Sequence, residues 1–199
     1  MRDVKILAVS DVEAKYLYDY YMPGKLDGID LILACGDLRR EYLDFLVSMA
    51  NRPLVYVRGN HDDALIDTPP DGCICAEDTI VVCHGVRILG LGGSQRYRDG
   101  ENMFTEKQMR RRIRKLWFRL WRLGGFDILL THAPARGIND FDALSHRGFY
   151  CFVELLDKYH PKYFVHGHIH KSYGVNIPQR TKRGDTTIIN AYDYCVFDF

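Results

Sequence analysis

Five short polar clusters stand directly after apolar runs, and each carries side chains able to ligate metal or move protons. They are Ser10-Asp11-Val12-Glu13, Gly36-Asp37, Gly59-Asn60-His61-Asp62, Thr131-His132-Ala133-Pro134 and His166-Gly167-His168-Ile169-His170. Carboxylate, amide oxygen and imidazole together suit borderline-hard divalent ions such as Mn, Fe, Zn, Ni or Co rather than thiophilic ones. One ion does not need so many donors; two ions sharing a carboxylate do. Glycines before Asp37, Asn60 and His168 let the backbone turn sharply and approach a ligand closely.

Elements that alternate between strand and helix must position these clusters. Apolar runs predict strands at Val4–Val9, Asp30–Cys35, Leu54–Val57, Asp127–Leu130 and Tyr163–Val165. Helical patterns fall at Ala14–Met22, Glu41–Ala50, Thr105–Leu123 and Gly148–Tyr159, the third opened by Thr105 three residues before Gln108. Thr79–Cys83 and Val86–Leu91 read as a strand pair around His84-Gly85. Tyr173–Ile177, Thr186–Asn190 and Tyr192–Phe197 read as a β-rich end. This alternation implies an α/β fold, with a parallel-rich sheet flanked by helices and a second sheet packed on the first. Ligands gather at the carboxyl ends of such strands, so the five clusters are expected to meet.

The remaining composition narrows the function class. The 27 Lys+Arg and 26 Asp+Glu of 199 residues give a net charge of +1, which makes no global case for nucleic acid or a membrane surface. No run of about 18 apolar residues is present, so no membrane span is expected. The first apolar run is too short for a secretory signal, and the expected location is cytoplasmic. The six cysteines are expected to be reduced thiols. Residues 1–199 read as one domain.

The series Asp11, Gly36-Asp37, Gly59-Asn60-His61-Asp62, His132 and Gly167-His168-Ile169-His170 resembles the calcineurin-like metallophosphoesterase superfamily, in its small phosphoesterase and phosphodiesterase branch. The resemblance implies two packed mixed β-sheets flanked by helices, a four-layer αββα sandwich. It also implies two divalent metal ions, Mn foremost, with Fe, Zn, Ni, Co or Mg as alternatives. Asp11 and His170 would hold the first ion, Asn60, His132 and His168 the second, and Asp37 would bridge them. His61 would protonate or stabilise the leaving group. The implied reaction is hydrolysis of a phosphomono- or phosphodiester, small or nucleotide-like, by in-line attack of a metal-bridging hydroxide.

Three departures and likenesses bear on the site. The superfamily's first motif is Asp-x-His, and Glu13 stands here in the place of its histidine. Either Glu13 ligates the first ion through oxygen, favouring Mn or Mg, or it faces solvent or caps the following helix. Arg40, with Arg39 beside it, occupies a position that is acidic in the protein phosphatases. One of them contacts the substrate phosphate, or both lie on an exposed first helical turn. The loop through Ser145-His146-Arg147-Gly148 resembles a branch with cyclic-nucleotide phosphodiesterase-like members, which places His146 beside the substrate or on the surface. His84, His160 and His166 lie off the pattern.

Residues 107–122 hold eight Lys or Arg and no acid. Met109, Ile113, Leu116, Trp117, Leu120 and Trp121 form an apolar stripe at helical spacing, expected to pack on the sheet. The opposite face is either a solvated surface, an anion-attracting surface that a nuclease would use, or an interfacial membrane helix. The rival from another class is a catalytically weak binding or scaffold protein on the same fold. Expected partners are a small phosphoester substrate and, as further options, nucleic acid or a second copy of the chain.

Overall fold

The computed structural model describes residues 3–170 and 177–199. Its first half runs β1 (Lys5–Ser10), β2 (Leu31–Ala34), α1 (Arg40–Ala50), β3 (Leu54–Tyr56), α2 (Ala64–Asp67), β4 (Ile74–Cys75), β5 (Thr79–Cys83) and β6 (Val86–Leu91). It continues with β7 (Ser94–Gln95), β8 (Met103–Phe104), α3 (Glu106–Lys115), α4 (Trp117–Leu123), β9 (Ile128–Thr131), α5 (Tyr150–Tyr159), β10 (Tyr163–His166), β11 (Arg180–Arg183), β12 (Thr186–Asn190) and β13 (Asp193–Asp198).

The strands form two large sheets, ordered β13-β1-β2-β3-β4 and β11-β12-β10-β9-β6-β5, plus the small pair β7-β8. β1 to β4 run parallel, with β13 antiparallel at the edge. β6, β9, β10 and β12 also run parallel, between antiparallel edge strands β5 and β11. Both sheets are therefore mixed, as expected.

The strand sequences read as continuous apolar runs because both faces are buried. In β1, Ile6 and Ala8 point between the sheets, where they meet Leu31, Leu33, Val55, Ile88, Leu130 and Val165. Leu7 and Val9 point the other way, onto Tyr42, Leu43 and Leu46 of α1. On the second sheet Leu89, Leu129, Phe164 and Ile188 face Met109, Leu120, Phe152 and Leu156 of α3, α4 and α5. Four layers result: helix, sheet, sheet, helix. Phe152 is fully buried in the outer one. Phe152→Ala is expected to lower unfolding free energy by about 3–5 kcal/mol, read from denaturant melts. A loss below about 1 kcal/mol would mean that this layer is loosely packed.

Three sequence expectations change. Ala14–Met22 is not a helix but a series of turns, with i to i+3 bonds such as Leu17 N–H to Ala14 O at 2.8 Å. Packing decides it: Tyr18 sits edge-on to Tyr42 and Phe45 at 5.3 and 4.9 Å, and Tyr21 edge-on to Phe45 at 5.2 Å. The Thr105–Leu123 helix keeps its capping box, with Thr105 accepting from Gln108 N–H, but breaks at Leu116 into α3 and α4. The expected apolar stripe is also narrower. Met109, Leu116 and Leu120 are buried, whereas Trp117 and Trp121 are 67% and 73% exposed. The buried line follows 109, 113, 116 and 120; the two tryptophans stand one residue further round, about 100° away. The expected strand Tyr173–Ile177 lies almost wholly outside the described residues.

Candidate metal centre

The ends of β1, β2, β3, β9 and β10 deliver the five polar clusters to one edge of the sandwich. Asp11, Asp37, Asn60, His61, His168 and His170 line a cavity of about 360 Å³ there. Asp11, Asp37 and His168 adopt left-handed backbone, with φ of 68°, 55° and 68°. Non-glycine residues rarely do so, at about 1–3 kcal/mol each where the conformation is strained. Gly59 and Gly167 make the close approach possible: a Cβ at Gly59 would collide with the Asp37 carboxylate, and one at Gly167 with Ser10 Oγ and Asp11.

Hydrogen bonds fix which nitrogen of each histidine faces the cavity. His132 is fully buried, and its Nδ1 lies 2.8 Å from the Cys35 carbonyl, so Nδ1 carries the proton and donates. His168 Nε2 lies 2.6 Å from the Ser145 carbonyl and donates likewise. The free lone pairs of the neutral rings then point at each other, with His132 Nε2 and His168 Nδ1 3.0 Å apart. Asn60 Oδ1 is 3.0 Å and Asp37 Oδ2 is 3.3 Å from the same His132 nitrogen. Four acceptor atoms therefore converge with no donor of their own, a set that calls for a cation. Asp37, His132 and His168 make a candidate metal site, their ligand atoms all within 4.8 Å of one another.

The electrostatics of the cluster favour positive charge at its centre. Burial opposes charging His132, but the Asp37 charge and hydrogen bond, with Asp11, raise its pKa to about 9. Burial and the nearby His132 charge push His168 down to about 3. Burial raises Asp37 as well, yet His132 outweighs it and holds the carboxyl well below its usual range.

Around this group, Asp11 accepts the His168 N–H at 2.9 Å and lies 3.2 Å from His170 Nε2. The Asp11 carboxylate is inaccessible to solvent. Asp62 ties two of the loops together by accepting from the N–H groups of Asp37 and Gly59, each at 2.7 Å. Its own pKa rises to about 6, through burial first and the Asp37 charge second. The His61 N–H donates to Asp37 Oδ1 at 2.8 Å, and its ring stands exposed on the cavity wall.

The remaining candidates lie further out. Glu13 accepts from Arg39 Nε at 2.7 Å. Arg40 bonds Asp44 and Asp71 at 3.3 and 2.6 Å. All three line a neighbouring depression that shares Asp37 and His61 with the metal cavity. Since Arg39 already holds its carboxylate, Glu13→Ala is expected to change Mn²⁺ affinity by less than about threefold in calorimetric titration. A loss of the 10–100-fold size that even supporting residues of metal sites produce would make Glu13 part of the ion's surroundings. His146 does line the cavity, with its ring 5.6 Å from that of His168.

Sequence reasoning missed Tyr97 and Arg98. The Tyr97 hydroxyl accepts from Asn60 Nδ2 at 3.4 Å and lines the cavity. Arg98 Nη2 lies 3.4 Å from His61 Nδ1; guanidinium only donates, so Nδ1 accepts and His61 keeps its proton on Nε2. The segment 96–100 reads as an ordinary surface loop and carries no motif.

The basic stretch is partly neutralised. Arg110 pairs with Glu106 and Glu154, Arg112 with Glu77 and Asp78, and Arg119 bonds Thr79 Oγ1. Among the described residues no helix is long and apolar enough to cross a membrane.

Comparison with known proteins agrees with this architecture. A solved crystal structure superposes with a TM-score of 0.69 at 14% identity, covering 99% of this chain and 95% of the other. TT1561 of Thermus thermophilus superposes at 0.59 with 15% identity, covering 96% and 90%. These likenesses concern the fold. A UPF0046 protein of Caenorhabditis elegans is 39% identical over 88 residues, which cover 36% of this chain and 30% of that protein's length. The calcineurin-like phosphoesterase family model matches residues 4–172, a span that holds every motif from Asp11 to His170, and the chain belongs to that family.

Proposed function

We propose that this chain is a divalent-metal-dependent phosphoesterase acting on small phosphomono- or phosphodiesters. The observation that carries the reading is the convergence of Asp37 Oδ2, Asn60 Oδ1, His132 Nε2 and His168 Nδ1 at a cavity whose wall holds His61. In this reading Asn60, His132 and His168 would hold one ion, Asp11 and His170 would hold the other, and Asp37 would be shared between them. Two such ions supply charge that stabilises the phosphoryl oxygens and lowers the pKa of a water toward neutrality.

The protein's own residues do the rest. Cys35 and Ser145 carbonyls fix the two histidine rings with their lone pairs inward. Asp62 holds the Asp37 and Asn60 loops at a set spacing, and backbone N–H groups occupy the outer lone pairs of Asp11 and Asp37. His61 stands on the cavity wall, where as an imidazolium it would hand a proton to the departing oxygen. The small cavity admits a phosphoryl group and a modest leaving group.

The test is turnover of p-nitrophenyl phosphate and bis-p-nitrophenyl phosphate with added Mn²⁺, Ni²⁺, Co²⁺ or Mg²⁺. Metal-dependent hydrolysis of either supports the reading, and their ratio gives the mono- or diester preference. A folded protein that binds metal and hydrolyses neither is the scaffold instead.

A further inference from the structure

The outer surface of α4 presents side chains that neither the sheet nor the metal centre uses. Trp117, Phe118 and Trp121 are 67%, 50% and 73% exposed. Their rings pack on one another, with centroids 5.7 Å apart for Trp117 and Phe118 and 5.9 Å apart for Phe118 and Trp121. Three large rings clustered in water make an apolar patch of the kind that marks a binding surface.

The charges around the patch divide by direction. Arg110 and Arg112 turn inward to acids of the protein body. Arg111, Arg114, Lys115 and Arg122 are exposed and form no ion pair among the described residues. Residues 107–122 contain no acid to offset them. Unpaired cations beside exposed tryptophan and phenylalanine suit one kind of surface above others. The rings settle at the boundary between lipid headgroups and acyl chains, and the cations meet lipid phosphates. Single-stranded nucleic acid is the other polyanion that exposed rings and cations attract, and the test below separates it from lipid. A groove of about 670 Å³ beside Trp117 carries Ile113, Leu120 and Leu155 in its lining and extends the apolar surface toward α5, and its two acids, Glu106 and Glu154, are both paired with Arg110.

We propose that α4 and the end of α3 form a peripheral docking surface for membranes that carry anionic lipid. The surface lies away from the candidate metal centre. α4 leads through Gly124 and Gly125 into the start of β9, whereas His132 follows the end of that strand. Docking there leaves the cavity open.

Trp117 and Trp121 are the only tryptophans in the chain, so intrinsic emission reports on this patch alone. The test mixes the full chain with vesicles of equal parts phosphatidylglycerol and phosphatidylcholine, or with phosphatidylcholine alone. The expected result is co-sedimentation and a blue shift of emission with the first and neither with the second. Trp117→Ser combined with Phe118→Ser and Trp121→Ser is expected to weaken sedimentation at least about tenfold. Arg114→Gln combined with Lys115→Gln and Arg122→Gln keeps the rings and is expected to weaken it about tenfold as well. Thermal melts check that each variant is folded. Equal binding to both vesicles, or none, overturns the proposal. So does unchanged binding of the folded charge variant, a blue shift produced by concentrating the protein alone, or a response only to single-stranded RNA.

Discussion

Asp37→Ala is expected to lower turnover of a phosphodiester by at least about 10³-fold, because it removes the one carboxylate shared by both proposed ions. The loss of several kcal/mol of charge stabilisation in the transition state corresponds to that factor at about 1.4 kcal/mol per decade. A second effect accompanies it. Ligand binding stabilises a fold by about 2.7 kcal/mol when the free ligand stands at 100 times its Kd. The wild-type protein is therefore expected to melt several degrees higher with Mn²⁺ than with a chelator, and Asp37→Ala to show little of that difference. The structure also says what the variant does without metal. His132 Nε2 loses the carboxylate at 3.3 Å that favours its charged form, and the His61 N–H loses its acceptor. Turnover that persists within tenfold of wild type would remove Asp37 from the centre.

His61→Ala is expected to keep the metal-dependent melting shift and lose about 10²–10⁴-fold in turnover on substrates with poor, alkoxide-type leaving groups. The loss on p-nitrophenyl esters is expected to be much smaller, since that leaving group departs without a proton. The contrast follows from position. The His61 ring lines the cavity without joining the converging ligand atoms. Equal losses on both substrate types would contradict a proton-donating role and point to a part in binding.

How far these features were legible in the sequence depends on the residue. Asp11, Asp37, Asn60, His132, His168 and His170 stand out because each follows an apolar run that the sheet buries on both faces, and the strand ends carry them to one edge. The strands were visible for the same reason: Ile6 to Val9 and Leu31 to Ala34 cannot face water on either side. Less could be read where tertiary contacts decide. The Ala14–Met22 segment has a plausible helical pattern, but edge-on packing of Tyr18 on Tyr42 and Phe45, and of Tyr21 on Phe45, holds it in turns. The carbonyls of Cys35 and Ser145, which fix the histidine tautomers, belong to main chain and leave no mark in the residue types. Tyr97 and Arg98 reach the cavity from a loop with no motif. Glu13 is a motif position whose pairing with Arg39 no spacing announces. The exposure of Trp117 and Trp121 depends on a buried line only one residue wide, which hydrophobic spacing alone does not resolve.

The most direct test is titration of metal-stripped protein with Mn²⁺ while hydrolysis of bis-p-nitrophenyl phosphate is followed at each step. The expected result is no turnover at the start, activity that climbs as metal binds, and a plateau at two equivalents per chain. Saturation of the site without hydrolysis of this or the monoester, or hydrolysis that proceeds undiminished in the metal-stripped protein, would contradict it.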